Sequence, residues 1–124
     1  TGRVEVGIWG TGAPLREFLW SEDMAGACVY VMEQVDWVDL AAGKTEVRNC
    51  HINIGTGKEL TIRELAGMIA RTVGFDGDVV FDASKPDGTM RKLTDPSKLH
   101  ALGWRHTVEL DEGVRRLYAW YISR

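Results

Sequence analysis

The sequence predicts a small α/β or α+β layered structure with a few short strands, about four helices and no complete doubly wound sheet. Short segments of alternating apolar residues are separated by longer segments with helical periodicity, which is typical of layered folds. The strand segments are too few to complete a doubly wound sheet. The 124 residues allow one domain with a core and are too few for two ordinary domains.

Three segments show the alternation of β-strands. Residues 4–8 form the first and lead into a loop rich in glycine and proline. Residues 51–55 and residues 78–82 predict two further short strands, and the segment 51–55 is expected to be buried.

The first predicted helix runs from about Glu22 to Val35, with Ser21 as its N-cap residue. One apolar stripe at helical spacing is expected to face the core. It consists of Met24, Cys28, Val31, Met32 and Val35. Residues 36–50 lose this periodicity and gain charge, so we expect an exposed connection there.

Three more helices are predicted after residue 60. Thr61 and Glu64 have the spacing of a capping box, so a helix begins at Thr61, and Gly74 ends it. Asp95 followed by proline predicts the start of a short helix. The last helix begins near Leu110 and carries its apolar residues on one face.

The composition excludes several classes of function. A net charge of −3 provides no broad basic surface for nucleic acid. No apolar run approaches the length of a membrane span and the N-terminus lacks a signal-peptide pattern, so we expect a cytoplasmic protein. Cys28 and Cys50 are interpreted as reduced thiols. We expect no metal site, because His51, His100 and His106 lack ligand spacing.

The stretch from Trp9 to Asp23 is the first candidate for a functional site. Gly10 and Gly12 let the backbone turn sharply and approach a ligand closely. Arg16 lies among apolar residues, where a guanidinium suits a phosphate or carboxylate. Taken alone, Arg16 is better explained as a surface partner of Glu17 or Asp23 in an ion pair than as a residue that binds a ligand.

The segment 84–93 is the second candidate, because Lys85, Arg91 and Lys92 can gather positive charge around a diphosphate. By itself such a loop is usually only solvated. The segment from Gly55 to Lys58 has the order strand, glycines, helix, but it lacks the full dinucleotide fingerprint and the P-loop pattern. We interpret it as a tight connection between a strand and a helix.

Both candidate segments resemble the GDP-L-fucose synthase family, within the extended short-chain dehydrogenases that act on nucleotide sugars. Residues 9–19 read WGTGAPLREFL and residues 84–93 read SKPDGTMRKL, and both are similar to motifs of that family. The resemblance continues in order through the end of the chain. The chain departs from the family pattern at Trp20, where histidine is usual, at Ser21, where valine is usual, and at Met90, where proline is usual.

The resemblance implies that residues 1–124 are one substrate-binding domain, the C-terminal part of a longer enzyme whose NADP-binding domain is absent. The family converts GDP-4-keto-6-deoxy-D-mannose to GDP-L-fucose with NADPH, by epimerisation and reduction. Trp9, Arg16, Asp87 and Lys92 fall on positions that contact the GDP-sugar. Trp9 would pack on the base or sugar, the two cations would neutralise the diphosphate, and Asp87 would accept hydrogen bonds from hydroxyl groups.

The family's catalytic groups fall outside this chain, which has no Tyr-x-x-x-Lys motif. We therefore expect no catalytic residue and no bound cofactor here, and no turnover by the chain alone. A homo-oligomer, most simply a dimer, is the expected assembly, with neither nucleic acid nor membrane as a partner. Two alternatives stay open: the substrate domain of another nucleotide-sugar epimerase or dehydratase, and a non-catalytic fragment that self-associates.

Overall fold

The computed structural model describes residues 2–124, which contain five helices, five strands and two small sheets. The predicted α/β class with few, short strands is confirmed. The strands are β1 Glu5–Trp9, β2 Leu15–Arg16, β3 Leu60–Thr61, β4 Asp78–Asp82 and β5 Arg91–Lys92. The helices are α1 Ser21–Gln34, α2 Trp37–Ala41, α3 Ile62–Val73, α4 Ser97–Ala101 and α5 Leu110–Ile122.

The first sheet consists of β1 and β4, which run parallel and pair over five residues from Glu5 with Asp78 to Trp9 with Asp82. The prediction of a strand at residues 78–82 is confirmed, and the first strand is shifted by one residue. Because the two strands are parallel, their carboxyl ends lie at the same edge of the sheet. The loops that follow Trp9 and Asp82 therefore start side by side.

The second sheet has β2 in the middle, antiparallel to β3 and parallel to β5. Arg16 is the register partner of Leu60 on one side and of Lys92 on the other. Two residues are too short to show any alternation, so the sequence pattern does not predict these strands. Their pairing ties the segment around Arg16 to the segment around Lys92.

Helix α3 has the termini that its sequence predicts. The Glu64 N–H donates to Thr61 Oγ1 at 3.0 Å and the Thr61 N–H donates to Glu64 Oε2 at 2.7 Å, which completes the capping box. Gly74 ends the helix with a left-handed φ of 71°. Helix α3 packs against α5. No helix in residues 2–124 is long and apolar enough to cross a membrane.

Helix α1 differs from its prediction in cap and in orientation. Trp20, not Ser21, occupies the N-cap position, and no side chain caps the helix. The expected burial of the apolar stripe is wrong, since Met32 is 83% exposed and Cys28 is also exposed. The buried residues of the helix are Asp23 and Ala27. Asp23 faces inward because hydrogen-bond donors of Thr107 and Val108 lie on that side of the helix.

The Asp23 carboxylate joins α1 to the segment before α5. It accepts hydrogen bonds from the Thr107 N–H at 3.0 Å, the Thr107 hydroxyl at 2.8 Å and the Val108 N–H at 2.9 Å. Burial alone would raise the pKa of Asp23, but the hydrogen bonds from Val108 and Thr107 and the nearby His106 outweigh it, and the pKa lies below its ordinary 3.8. The carboxylate therefore stays charged and bound near neutral pH.

Between residues 36 and 55 the structure differs from the predictions in two places. Residues 36–50 are mostly exposed, as expected, but residues 37–41 form helix α2 within this connection; its capping box between Asp36 and Asp39 is the signal that marks it. Residues 51–54 form no strand, although they alternate. An alternating segment becomes a strand only when a partner strand satisfies its backbone groups, and the rest of residues 2–124 supplies none here.

The chain encloses little of its apolar surface. Its buried apolar residues are Ala27, Leu99 and Val108, whereas large side chains such as Trp120 and Tyr121 on α5 are more than half exposed. The accessible surface is 8713 Å². A closed monomer of this size exposes about 6,600 Å² by the usual scaling. The excess is comparable with one side of a large protein interface.

Two histidines, one in α4 and one four residues before α5, have a ring nitrogen without a hydrogen-bond partner in the described part of the chain. These buried atoms are His100 Nε2 and His106 Nδ1. Burial, the charge of Arg105 and the proximity of His106 lower the pKa of His100 below 6.5, and Asp95 opposes this weakly. The folded chain therefore favours the neutral imidazole of His100.

We predict that Asp23→Asn destabilises the fold by about 2–3 kcal/mol, because an amide cannot accept all three hydrogen bonds and carries no charge. Urea unfolding of the variant measures this. The control is Glu33→Gln on the exposed side of the same helix, which should change stability by less than about 0.5 kcal/mol. Equal stability of the two variants would contradict the role of Asp23.

We also predict that the unfolding free energy falls as the pH drops below about 6.5. The unfolded chain takes up a proton at His100 that the folded chain resists, so protons favour unfolding in that range. Thermal unfolding between pH 8 and pH 5 measures the effect. His100→Gln should flatten the dependence, and the size of the flattening measures the share of His100 in it. A wild-type chain whose stability does not change between pH 8 and pH 5 would refute the prediction.

Candidate functional site

The two candidate segments meet at the edge of the first sheet. The Gly10 N–H donates to the Asp82 carbonyl at 2.9 Å, so the loop after β1 and the loop after β4 leave the sheet in contact. Gly10 has a left-handed φ of 88°, and a Cβ there would collide with the Asp87 carboxylate. A glycine is therefore required where the two loops cross.

Asp87 bridges the two loops through Thr11. Asp87 Oδ1 accepts from the Thr11 N–H at 2.8 Å, and Oδ2 accepts from the Thr11 hydroxyl at 2.6 Å. Asp87 is expected to accept hydrogen bonds from ligand hydroxyl groups, but both of its carboxylate oxygens already accept hydrogen bonds from Thr11. Each carboxylate oxygen keeps a second lone pair, so a ligand hydroxyl would share this carboxylate with Thr11.

Arg16 is held by backbone carbonyls. Its Nη1 donates to the carbonyls of Leu15 at 2.6 Å and of Thr89 at 2.7 Å. No carboxylate lies within ion-pair distance of Arg16 in residues 2–124. Glu17 and Asp23, the alternative partners, bind other groups. The interpretation of Arg16 as a surface ion-pair residue is therefore wrong, and its charge stays uncompensated.

The basic residues at β5 divide between the two faces of the second sheet. Lys92 is the register partner of Arg16 and shares its face. Arg91 pairs with Leu15 and points to the other face, where its Nη2 and Nε bind the Glu59 carboxylate at 2.7 Å and 3.0 Å. Of the two cations, only Lys92 can add to the charge of Arg16. Arg91, which the sequence pattern groups with the neighbouring lysines around a diphosphate, is instead paired with a carboxylate of the protein.

Trp9 stands at the end of β1 with 76% of its surface exposed. The Lys85 ammonium lies 5.7 Å from the centre of the Trp9 ring, within cation–π range. Ser84, which precedes Lys85, is fixed by hydrogen bonds of its N–H and hydroxyl to Asp82 Oδ1 at 3.0 Å and 2.6 Å. An exposed indole ring with one cation beside it is suited to a ligand with a flat ring and negative charge.

The Glu17 carboxylate connects the end of β2 to the segments that precede β3 and follow β5. Its carboxylate accepts from the Gly57 N–H at 2.6 Å, the Thr94 N–H at 3.1 Å and the Thr56 hydroxyl at 3.3 Å. Burial would raise the pKa of Glu17, but the hydrogen bonds from Gly57, Thr94 and Thr56 prevail and lower it below 4.5. The carboxylate also explains Gly55, since a Cβ there would lie 2.6 Å from Glu17 Oε1.

The loop after β1 is also fixed from α3. The Arg63 N–H donates to the Gly12 carbonyl at 2.9 Å and Arg63 Nη2 donates to the Thr11 carbonyl at 2.6 Å. Its guanidinium lies 3.8 Å from the centre of the Phe81 ring. Sequence reasoning missed Arg63, because a charged residue in the first turn of a helix gives no sign of what it contacts.

Trp20, where the sequence departs from the family pattern, lies away from these loops. Its ring is 3.3 Å from the position a Cβ would take at Gly113 of α5, and its Nε1 donates to Glu22 at 3.1 Å. It fills space against α5. No group of three or more potential metal ligands occurs among the described residues.

Comparison with known proteins shows what the chain is similar to. The profile of the NAD dependent epimerase/dehydratase family matches residues 1–55. GDP-L-fucose synthase of Escherichia coli is 52% identical over 119 residues, which are 96% of this chain and 36% of that protein. The chain spans about one third of the length of the curated relatives that it matches.

Solved structures of similar proteins support the fold. A GDP-6-OMe-4-keto-L-xylo-heptose reductase from Campylobacter jejuni is 46% identical, with a TM-score of 0.90 over 96% of this chain and 34% of that chain. A GDP-mannoheptose C4 reductase from the same organism, solved with NADP bound, is 45% identical, with a TM-score of 0.84 over 95% of this chain and 35% of that chain. The arrangement of elements is thus shared with the corresponding third of these enzymes.

We predict that Gly12→Ala destabilises the chain by about 3 kcal/mol, because strain at its φ of 77° adds to overpacking against Phe81, 2.5 Å from the new Cβ. Gly43→Ala is the matched control, since Gly43 has a φ of 72° and open space around it. It should cost only the backbone strain, about 1–2 kcal/mol. Chemical unfolding of both variants measures the difference, and equal losses would mean that the Gly12 loop is not tightly packed.

Proposed function

We propose that residues 1–124 form the GDP-sugar-binding part of an NADPH-dependent epimerase/reductase of the GDP-L-fucose synthase type. The full enzyme would convert GDP-4-keto-6-deoxy-D-mannose to GDP-L-fucose. The observation that carries the proposal is the register pair of Arg16 and Lys92, two neighbouring cations on one sheet face without a carboxylate partner in residues 2–124.

A nucleoside diphosphate sugar has a flat base, a diphosphate and a sugar with several hydroxyl groups. Arg16 presents donors to the diphosphate, and Lys92 adds a second charge that one arginine alone would not provide. Trp9 offers an exposed indole for the base or sugar, and Asp87 offers the remaining lone pairs of its carboxylate. In this proposal these groups bind and orient the substrate.

The residues of this chain do not fit a dinucleotide cofactor. The segment that most resembles a phosphate-binding loop is Gly55–Gly57, and its Gly57 N–H is taken by the Glu17 carboxylate at 2.6 Å. The Glu17 carboxylate already occupies the position at this loop that a pyrophosphate would take, so a pyrophosphate would have to displace it. The hydride and the acid–base groups would come from the rest of the enzyme, and we expect no turnover from this chain by itself.

The expected homodimer and the cytoplasmic location stay predictions. The large apolar surface left open on α1 and α5 supports association with another protein surface. Sedimentation of the chain over a range of concentrations distinguishes a stable monomer from a self-associating fragment.

We predict that the chain binds GDP-L-fucose more tightly than UDP-glucose in calorimetric titrations, and that Arg16→Ala or Lys92→Ala weakens binding about tenfold or more, the usual worth of one charge-assisted hydrogen bond. The control is the double variant Glu59→Gln/Arg91→Gln, which removes the ion pair on the opposite face and should bind as the wild type does.

Equal binding of both nucleotides would indicate another nucleotide-sugar enzyme. Loss of binding in the control variant would contradict the division of the two faces. Absence of binding in the wild type would refute an autonomous GDP-sugar site in this chain.

A further inference from the structure

Thr11 is held by side chains through all of its polar groups. Its N–H and hydroxyl donate to Asp87, and its carbonyl accepts from Arg63 Nη2 at 2.6 Å. Asp87 belongs to the loop after β4, whereas Arg63 belongs to the first turn of α3. Two distant parts of the chain therefore converge on one residue, which lies between Trp9 and Arg16 in sequence.

Arg63 is committed to this loop by several contacts at once. Its guanidinium lies 3.8 Å from the centre of the Phe81 ring, and its N–H donates to the Gly12 carbonyl at 2.9 Å. Gly12 is enclosed so tightly that an added Cβ would lie 3.1 Å from Arg63 Cβ and 2.5 Å from the Phe81 ring. The loop is thus pressed between a helix and β4.

No carboxylate pairs with Arg63 in residues 2–124, although the side chain is exposed. An arginine on a helix surface normally points into water and contributes little. Here the guanidinium lies over an aromatic ring while its Nη2 donates to a carbonyl, a combination that the single ammonium of a lysine does not reproduce.

We infer that Arg63 is a positioning residue for the GDP-sugar site, an inference that rests on the proposed function. Arg63 acts through Thr11 and not by binding the ligand itself. It fixes the Thr11 carbonyl, so that Trp9 and Arg16 stand at the ends of a loop that is rigid before the ligand arrives. A loop ordered in advance does not lose its conformational freedom on binding, and affinity rises accordingly.

The test compares Arg63→Met, Arg63→Lys, Arg71→Ala and Arg16→Ala with the wild-type chain, by calorimetric titration with GDP-L-fucose at two salt concentrations. Arg63→Met keeps an apolar side chain against Phe81 and removes the donor to Thr11. Arg71→Ala removes a charge from the same helix, two turns away, and serves as the control. Titrations are made well below the unfolding temperature of each variant, so that loss of stability alone does not change the dissociation constant.

Arg63→Met should weaken binding about tenfold, Arg63→Lys should recover part of the loss because its ammonium can donate to the Thr11 carbonyl, and Arg71→Ala should bind as the wild type does. The salt dependence of the dissociation constant distinguishes a residue that positions the loop from a residue that contacts the charged ligand. It should stay at the wild-type value in Arg63→Met and decrease in Arg16→Ala, which loses a charge that touches the diphosphate.

Wild-type affinity in Arg63→Met would overturn the inference and leave the proposed function intact. A reduced salt dependence in Arg63→Met would also overturn it, by making Arg63 a direct ligand of the anion. Absence of binding in the wild-type chain would overturn the proposed function, and the inference with it.

Discussion

The carboxylate of Glu17 is the contact on which the arrangement of the candidate site depends. Glu17 directly follows β2, the middle strand of the second sheet, and binds Gly57 and Thr94. One of these residues precedes β3 and the other follows β5. A two-residue strand cannot hold its neighbours through backbone hydrogen bonds alone, so the charge-assisted bonds of Glu17 supply the missing order. The position of Arg16 therefore depends on the hydrogen bonds of Glu17, the next residue in the chain.

The parts of the fold that the sequence predicts well are those with local causes. Helix α3 has its capping box and its terminal glycine, and both act within one turn. Strand β4 alternates and has a partner in β1. The segment 51–55 alternates equally well and fails, because strand formation depends on a partner. The burial of α1 fails for a similar reason: the donors at Thr107 and Val108 draw Asp23 inward and leave the apolar stripe open.

The candidate site was predictable in its chemistry and not in its geometry. The abundance of basic residues near Lys92 is visible in the sequence. The sequence does not show which of these residues lacks a carboxylate partner, because that depends on the ion pair that Arg91 forms with Glu59 across a strand. The bridge from Asp87 to Thr11 spans 76 residues. The contact of Arg63 with Thr11 spans 52 residues, and no local pattern encodes either.

The second sheet sorts its charges by the alternation of side chains, and this makes the register of β5 against β2 decisive for the site. A slip of the pairing that moves Arg91 to the place of Lys92 would put the guanidinium on the face of Arg16 and take it away from Glu59. A slip by one residue in the other direction would put Leu93 beside Arg16 and leave that face with a single cation. The order of arginine and lysine along the chain therefore specifies which face of the sheet is open to an anion, as much as the two charges themselves do.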